Sequence, residues 1–278
     1  MLIIYSPKCL EYRAVGHPES PTRVSRSYEF LKDKGYTFIS PDYADEATIL
    51  SVHTSRLVTT VKSGNFYDPD TPALPGIYDY ARLAVGAAIK AMELSLKGDI
   101  SFSLMRPPGH HAGKDTLGGF CYFNNIAVAV KLSGKRCAIL DIDCHHGNGT
   151  EEIFLGDTNV LYVSLHRYGF FYPGTGGTSY QNALNFPMPA DTTPDLWFDN
   201  FHKALDAICK FNPELVAISA GFDTYKDDPI AGLGLEIKDY YEIGRLIKQL
   251  NLPIFAILEG GYSDRLPECI HEFLKPLK

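Results

Sequence analysis

The tripeptide Asp143-Cys144-His145 carries a carboxylate and an imidazole two residues apart. In an extended backbone side chains alternate, so Asp143 and His145 share one face and Cys144 points to the other. A carboxylate and an imidazole so placed can grip one cation. Asp223, far along the chain in Gly221-Phe222-Asp223, offers a third donor. Two carboxylates and one imidazole leave a coordination position open, as a catalytic zinc requires, and the same set tolerates ferrous iron. Two adjacent imidazoles, His110 and His111, follow Pro107-Pro108-Gly109. A neutral imidazole can take a proton from a metal-bound water near pH 7. Tyr262 follows Gly260-Gly261, which lets the backbone turn sharply and project the phenol inward, where it can donate to an oxyanion. Each motif alone has a plain structural explanation: a chance D-x-H, a helix-capping Asp223, an aromatic core residue. Convergence on one rim would not.

That convergence depends on the elements. Six short runs, apolar on both faces, read as strands of a buried parallel sheet: 2–5, 101–105, 137–142, 159–165, 215–219 and Ile254–Leu258. Helical patterns fall between them. Ser20-Pro21 starts a helix that Gly35 ends. A stripe at helical spacing runs from Ile77 to Met92, Thr193-Pro194 opens a helix reaching about Phe211, and a further helix covers 235–250. Strands alternating with helices predict one three-layer α/β domain over 1–278, with an open, mostly parallel sheet. Ligands of such sheets bind beyond the carboxyl ends of the strands. There lie His110-His111, Asp141 to Gly149, Asp223 and Glu259 to Tyr262. The stretches 66–76 and 168–180 read as functional loops.

The bulk numbers agree with a soluble enzyme. The chain has 278 residues, 45% hydrophobic and 21% charged, enough for a sizeable core. A net charge of −7 gives no electrostatic case for nucleic acid and suits a cationic substrate. The six cysteines form no C-x-x-C pair and read as reduced thiols. Without a signal-peptide pattern or a membrane-length apolar run, the expected location is cytoplasmic, with no membrane partner. Among the remaining histidines, His202 and His271 are expected to face solvent and His17 and His53 to be structural. His146 and His166 are expected to support the metal site rather than bind the ion.

The runs 106–112, 119–125, 141–150, 164–166, 173–176, 221–223 and 259–262 resemble the histone deacetylase and acetylpolyamine amidohydrolase superfamily. The likeness extends from His17-Pro18-Glu19 to Tyr262, and its L-E-G-G-Y and H-H-G-N-G-T wording is nearer to class II deacetylases and bacterial relatives than to class I. The resemblance implies the arginase–deacetylase fold and hydrolysis of an acetylated amine, on a small molecule or a protein lysine. It implies zinc on Asp143, His145 and Asp223, and His111 as general base and then acid. His110 would be an electrostatic partner bonded to Asp141, and Tyr262 the oxyanion donor. Gly119, Phe120 and Tyr172 would wall a narrow tunnel, with Asp70 at its rim. Arg23 and Cys121 would sit near an inner acetate cavity. A structural potassium ion would lie near Asp141, Asp143, His145, Ser164 and Leu165, partly on backbone carbonyls.

Three departures from the family pattern bear on chemistry. Asn148 stands where class I enzymes carry an aspartate; a neutral amide orients His111 without raising its pKa. Tyr172 replaces the usual tunnel phenylalanine. Ile230 stands where some polyamine-selective members carry an acid, which weakens a polyamine assignment. No insertion of the kind that builds dimeric polyamine enzymes is present, so a monomer or weak oligomer is expected. Two rivals remain: an arginase-like ureohydrolase with two manganese ions, and a non-catalytic module that binds an acylated ligand.

Overall fold

A computed structural model describes residues 1–278. Its eight strands are β1 (Leu2–Ile4), β2 (Thr37–Ile39), β3 (Ser101–Ser103), β4 (Cys137–Asp141), β5 (Val160–Arg167), β6 (Ala183–Met188), β7 (Leu215–Ala220) and β8 (Ile254–Leu258). They form one sheet in the order β2-β1-β3-β8-β7-β4-β5-β6, every pair parallel. The expected sheet was mostly parallel; the observed one is entirely so. The central strands β3, β4, β7 and β8 are buried at every residue, which is why they read as unbroken apolar runs.

Nine helices connect them: α1 (Pro21–Asp33), α2 (Glu46–Leu50), α3 (Ser55–Ser63), α4 (Ile77–Ser95), α5 (Asn125–Ser133), α6 (Asn148–Phe154), α7 (Pro194–Phe211), α8 (Ile237–Lys248) and α9 (Leu266–Leu274). Their ends obey local chemistry. α1 has Pro in its first turn and stops before Gly35, whose φ is +76°. The Thr193 side chain caps α7 by accepting from the Leu196 amide, and Asn212 closes it in the left-handed region. α4 and α5 pack on each other, α4 against β1, β3 and β8, and α5 against β7. α1, α8 and α9 form another packed group. The result is the three-layer α/β arrangement. Five of the six cysteines are buried, and all are free thiols. No helix is long and apolar enough to cross a membrane.

The polar motifs all leave the carboxyl ends of the middle strands. The β3 end feeds the turn to His110-His111, β4 feeds Asp143 to His146, β7 feeds Asp223 and β8 feeds Tyr262. β3, β8, β7 and β4 are neighbours, so segments far apart in sequence meet along one edge.

Candidate active site

One cavity of about 170 Å³ opens at that edge, lined by His110, His111, Asp143, His145, Gly260 and Tyr262 at its floor and by Asp70, Pro108, Gly119, Phe120, Tyr172 and Ile230 around it. An engineered cavity of comparable size, ~150 Å³, admits a benzene. The space therefore suits a slim chain.

Beneath it, Asp143, His145 and Asp223 bring three donor atoms within 4.8 Å of one another, all from buried residues. The local path differs from the extended one expected. β4 ends at Asp141, and residues 143–145 bend instead of continuing the pleat. Asp143 and His145 converge because the loop curls, the His145 amide donating to Asp143 Oδ1 at 2.8 Å. Cys144 is buried elsewhere, and its amide donates to Asp223 Oδ1 at 2.9 Å. Asp143 Oδ2 accepts from the Gly260 amide at 2.7 Å. Asp223 Oδ2 accepts no hydrogen bond although it is fully buried, and it faces His145 Nδ1 at 2.8 Å. With the donor atoms of Asp143, His145 and Asp223 within 4.8 Å of one another and Asp223 Oδ2 making no hydrogen bond, the donor set fits a divalent cation.

The electrostatics agree. Burial raises the Asp223 carboxyl, and the Asp143 charge adds to it, to about 7. Burial opposes the His145 imidazolium, but its two carboxylates push it up to about 10. Burial would also raise Asp143, yet His110 and His145 hold it well below the carboxylate range. A proton at this place does the neutralising that a bound cation would do, and a cation would displace it.

The two histidines are tuned apart. His110 Nδ1 meets Asp141 Oδ2 at 3.1 Å. Burial opposes its charge, but Asp143 and Asp141 raise it to about 10. His111 Nδ1 donates to Asn148 Oδ1 at 2.7 Å, which leaves the lone pair on Nε2. Burial, then the nearby His110 and His145, hold His111 well below its ordinary value. Their rings stand 4.0 Å apart between centroids. The surroundings thus favour the charged form of His110 and the neutral form of His111. The Tyr262 phenol is pushed well above its ordinary value by burial, despite Arg23 4.6 Å from its ring, and so stays protonated.

The wall is built tightly. Gly119 has φ +56°, and a Cβ there would stand 2.3 Å from His111 Cδ2, so only glycine lets this backbone pass the imidazole. Phe120 sits at φ +69°, a left-handed conformation costing about 1–3 kcal/mol in a non-glycine residue. It is held by its amide donating to Thr71 Oγ1 and by the His17 ring against its own. Asp70 lines the cavity, with one oxygen accepting from the Gly119 amide and the Thr71 hydroxyl.

Other expected residues fall nearby. Ser164 lies directly across from Asp141 in the β4–β5 register, with Leu165 next along β5. Arg23 stands behind Tyr262, its guanidinium donating to the carbonyls of Gly261 and Glu259, and lines a separate groove there. Cys121 is buried, its thiol on the Gly119 carbonyl. His53 is structural, bonded to Gly113 O and the Asn124 amide. His146 bonds Thr175 and Glu151, and His166 bonds Ser164 and Gly176, which ties the loop bearing Tyr172 to the strand ends. His202 is exposed, but His271 is only half exposed and bonds the Tyr36 hydroxyl, because α9 packs that face on α1.

Sequence reasoning gave no role to three carboxylates. Asp228 accepts from the amides of Ile230, Ala231, Tyr262 and Ser263, joining the rim to the phenol-bearing turn. Glu19 joins the buried Arg106 to Arg23. Glu259 is wholly buried, and burial raises it to about 7 against the opposing effect of His110. The available signal was an acid at the end of an apolar strand, Leu258-Glu259, which has no reason to be buried unless donors meet it.

Comparison with known proteins agrees with this geometry. The histone deacetylase domain family matches residues 17–277. A probable deacetylase of Methanothermobacter thermautotrophicus is 37% identical over 293 residues, covering 97% of this chain and 87% of its own. Among solved structures, the HDA15 HD domain superposes with a TM-score of 0.92 at 31% identity, covering 100% of this chain and 90% of that one. The acetylpolyamine aminohydrolase of Burkholderia pseudomallei gives a TM-score of 0.88 at 27% identity, covering 99% and 98%. With a tandem histidine, a buried Asp/His/Asp cluster and a late phenol at one strand edge, the chain belongs to the histone deacetylase family.

Proposed function

We propose that this chain is a zinc-dependent amidohydrolase that cleaves the amide of an N-acetylated, or more broadly N-acylated, aliphatic amine and releases acetate and the free amine. The observation that carries this reading is the meeting of three elements at one cavity: the Asp143–His145–Asp223 cluster, the free Nε2 of His111 and the protonated phenol of Tyr262.

Asp143, His145 and Asp223 would hold the ion, zinc or else ferrous iron; when bound, it supplies Lewis-acid activation of the amide carbonyl and of water. The residues of the chain do the rest. His111 Nε2 accepts the proton of the attacking water and later delivers it to the departing nitrogen. Asn148 keeps His111 in the tautomer that makes this possible, and Asp141 keeps His110 charged beside it. The Tyr262 hydroxyl donates to the oxygen as it gains charge. Gly119, Phe120 and Tyr172 wall the alkyl chain and keep bulk water from the amide, with Asp70 and Ile230 at the rim. Apolar Ile230 offers no counter-charge to a second ammonium, which supports acetyl-lysine over an acetylated polyamine. A potassium ion beside Asp141, Asp143, His145, Ser164 and Leu165 belongs to the same reading, supported by the Asp141–Ser164 register. So does one deacetylase unit over 1–278, acting in the cytoplasm as a monomer or weak oligomer.

The presence of a single cluster of metal donors supports one ion over the two manganese ions of an arginase-like enzyme. The test is a hydrolysis panel across acyl lengths and amine carriers on zinc-loaded protein, with elemental analysis. Acetate release that a hydroxamate chelator abolishes, at one zinc or iron ion per chain, is expected. Two transition-metal ions per chain, or no release from any carrier, would refute the reading.

A further inference from the structure

Glu259 follows the apolar strand β8 and is 0% exposed. A carboxylate in such a place is costly unless several donors meet it. Three do. Its Oε2 accepts from the amides of Gly109 at 2.7 Å and His110 at 3.2 Å, and its Oε1 accepts from the Ser219 hydroxyl at 3.2 Å. These donors come from the turn after β3 and from β7. The Glu259 backbone is pinned as well: its amide donates to Ala220 O at 3.0 Å, and its carbonyl accepts from Arg23 at 2.6 Å. On the other side, Gly109 lies so near the start of α5 that a Cβ would stand 2.5 Å from the Asn125 amide. The turn bearing both histidines is therefore clamped between a fixed carboxylate and a helix.

We propose that Glu259 is a positioning residue that sets where His111 Nε2 stands relative to the scissile amide, by accepting the Gly109 and His110 amides. This rests on the reading of His111 as the proton carrier. Glu259 touches no reacting atom; it acts through the backbone of the turn.

Three variants and one control test it on zinc-loaded protein. Glu259→Met keeps the volume but orphans both amides. A reacting group misplaced by about 1 Å costs on the order of 10²-fold, so kcat should fall by about that factor, with KM within about 3-fold. Glu259→Gln keeps an acceptor oxygen and should stay within about 5-fold of wild type. Glu259→Asp keeps the charge but draws the oxygens back by one methylene, and should fall with the methionine variant; it keeps the test open if that variant does not fold. Imidazole NMR resonances of His111 should move in the methionine and aspartate variants and not in the glutamine variant. A fully active methionine or aspartate variant, or a glutamine variant as impaired as they are, overturns the proposal. His111→Ala separates the two claims. If it stays active, the proton-carrier reading fails and takes the proposal with it; if it is dead while Glu259→Met is fully active, only the positioning role fails.

Discussion

Replacing Gly260 by alanine should loosen the metal site without touching a ligand. A Cβ there would stand 2.6 Å from Asp143 Oδ2 and 2.7 Å from Asp223 Oδ2. Ordinary contact begins near 3.4 Å, so the two oxygens must retreat by about 0.8 and 0.7 Å. Asp143 Oδ2 also accepts from the Gly260 amide at 2.7 Å, so it cannot swing away and keep that bond. Metal–ligand distances tolerate about ±0.2 Å, several-fold less than the displacement required. Disturbing a contact that orients a ligand costs 10–100-fold in metal affinity, or about 1.4–2.7 kcal/mol. Because Gly260 is not in the left-handed region, its substitution adds no backbone penalty and the effect is purely steric. Zinc affinity measured by competition with a fluorescent chelator should weaken by at least about tenfold. Unchanged affinity would mean that the two carboxylates are not the ligands or do not stand where the cluster puts them.

Three further outcomes follow from the same geometry. Tyr262→Phe should lower kcat by about 10²–10³ with zinc content intact, since it removes one donor to the developing oxyanion; wild-type turnover would remove the phenol from the chemistry. His111 is held well below its ordinary value, so activity should persist on the acid side of pH 6.5; Asn148→Asp places a carboxylate on Nδ1 and should move the acid limb of kcat/KM up by about 1 unit or more, and an unmoved limb would refute the tautomer assignment. His53 is buried and held at about 4, so between pH 4 and 6.5 the unfolded chain binds the extra proton. His53 should then make stability rise with pH through that window and level off above it, contributing about 3 kcal/mol, and urea midpoints of His53→Asn against wild type would show the slope fall by that share.

The sheet was legible because its middle strands are buried on both faces and carry no polar interruption. The two strands missed are the edges. β2 is three residues long and partly exposed, and β6 contains Pro187, which cannot donate to a ladder and is confined to edges. α5 escaped because Asn125–Ser133 is apolar nearly all round and shows no stripe. The site residues were legible because chemistry needs unusual types at strand ends. What holds them was not: Asp228 and Glu259 act by accepting backbone amides, and a backbone amide has no letter in a sequence. Asp143 and His145 were brought together on paper by a pleat that the chain does not keep; the D-x-H spacing works equally well in the loop that replaces it.

β3 and β7 are separated by β8, the last strand to be made. Without β8 the sheet would have an open seam, with two apolar edges and no turn to bring Tyr262 to the histidines. Pairing β8 between β3 and β7 closes the seam and carries the turn with Tyr262 to the histidines, so a closed sheet and an assembled site are one and the same structure.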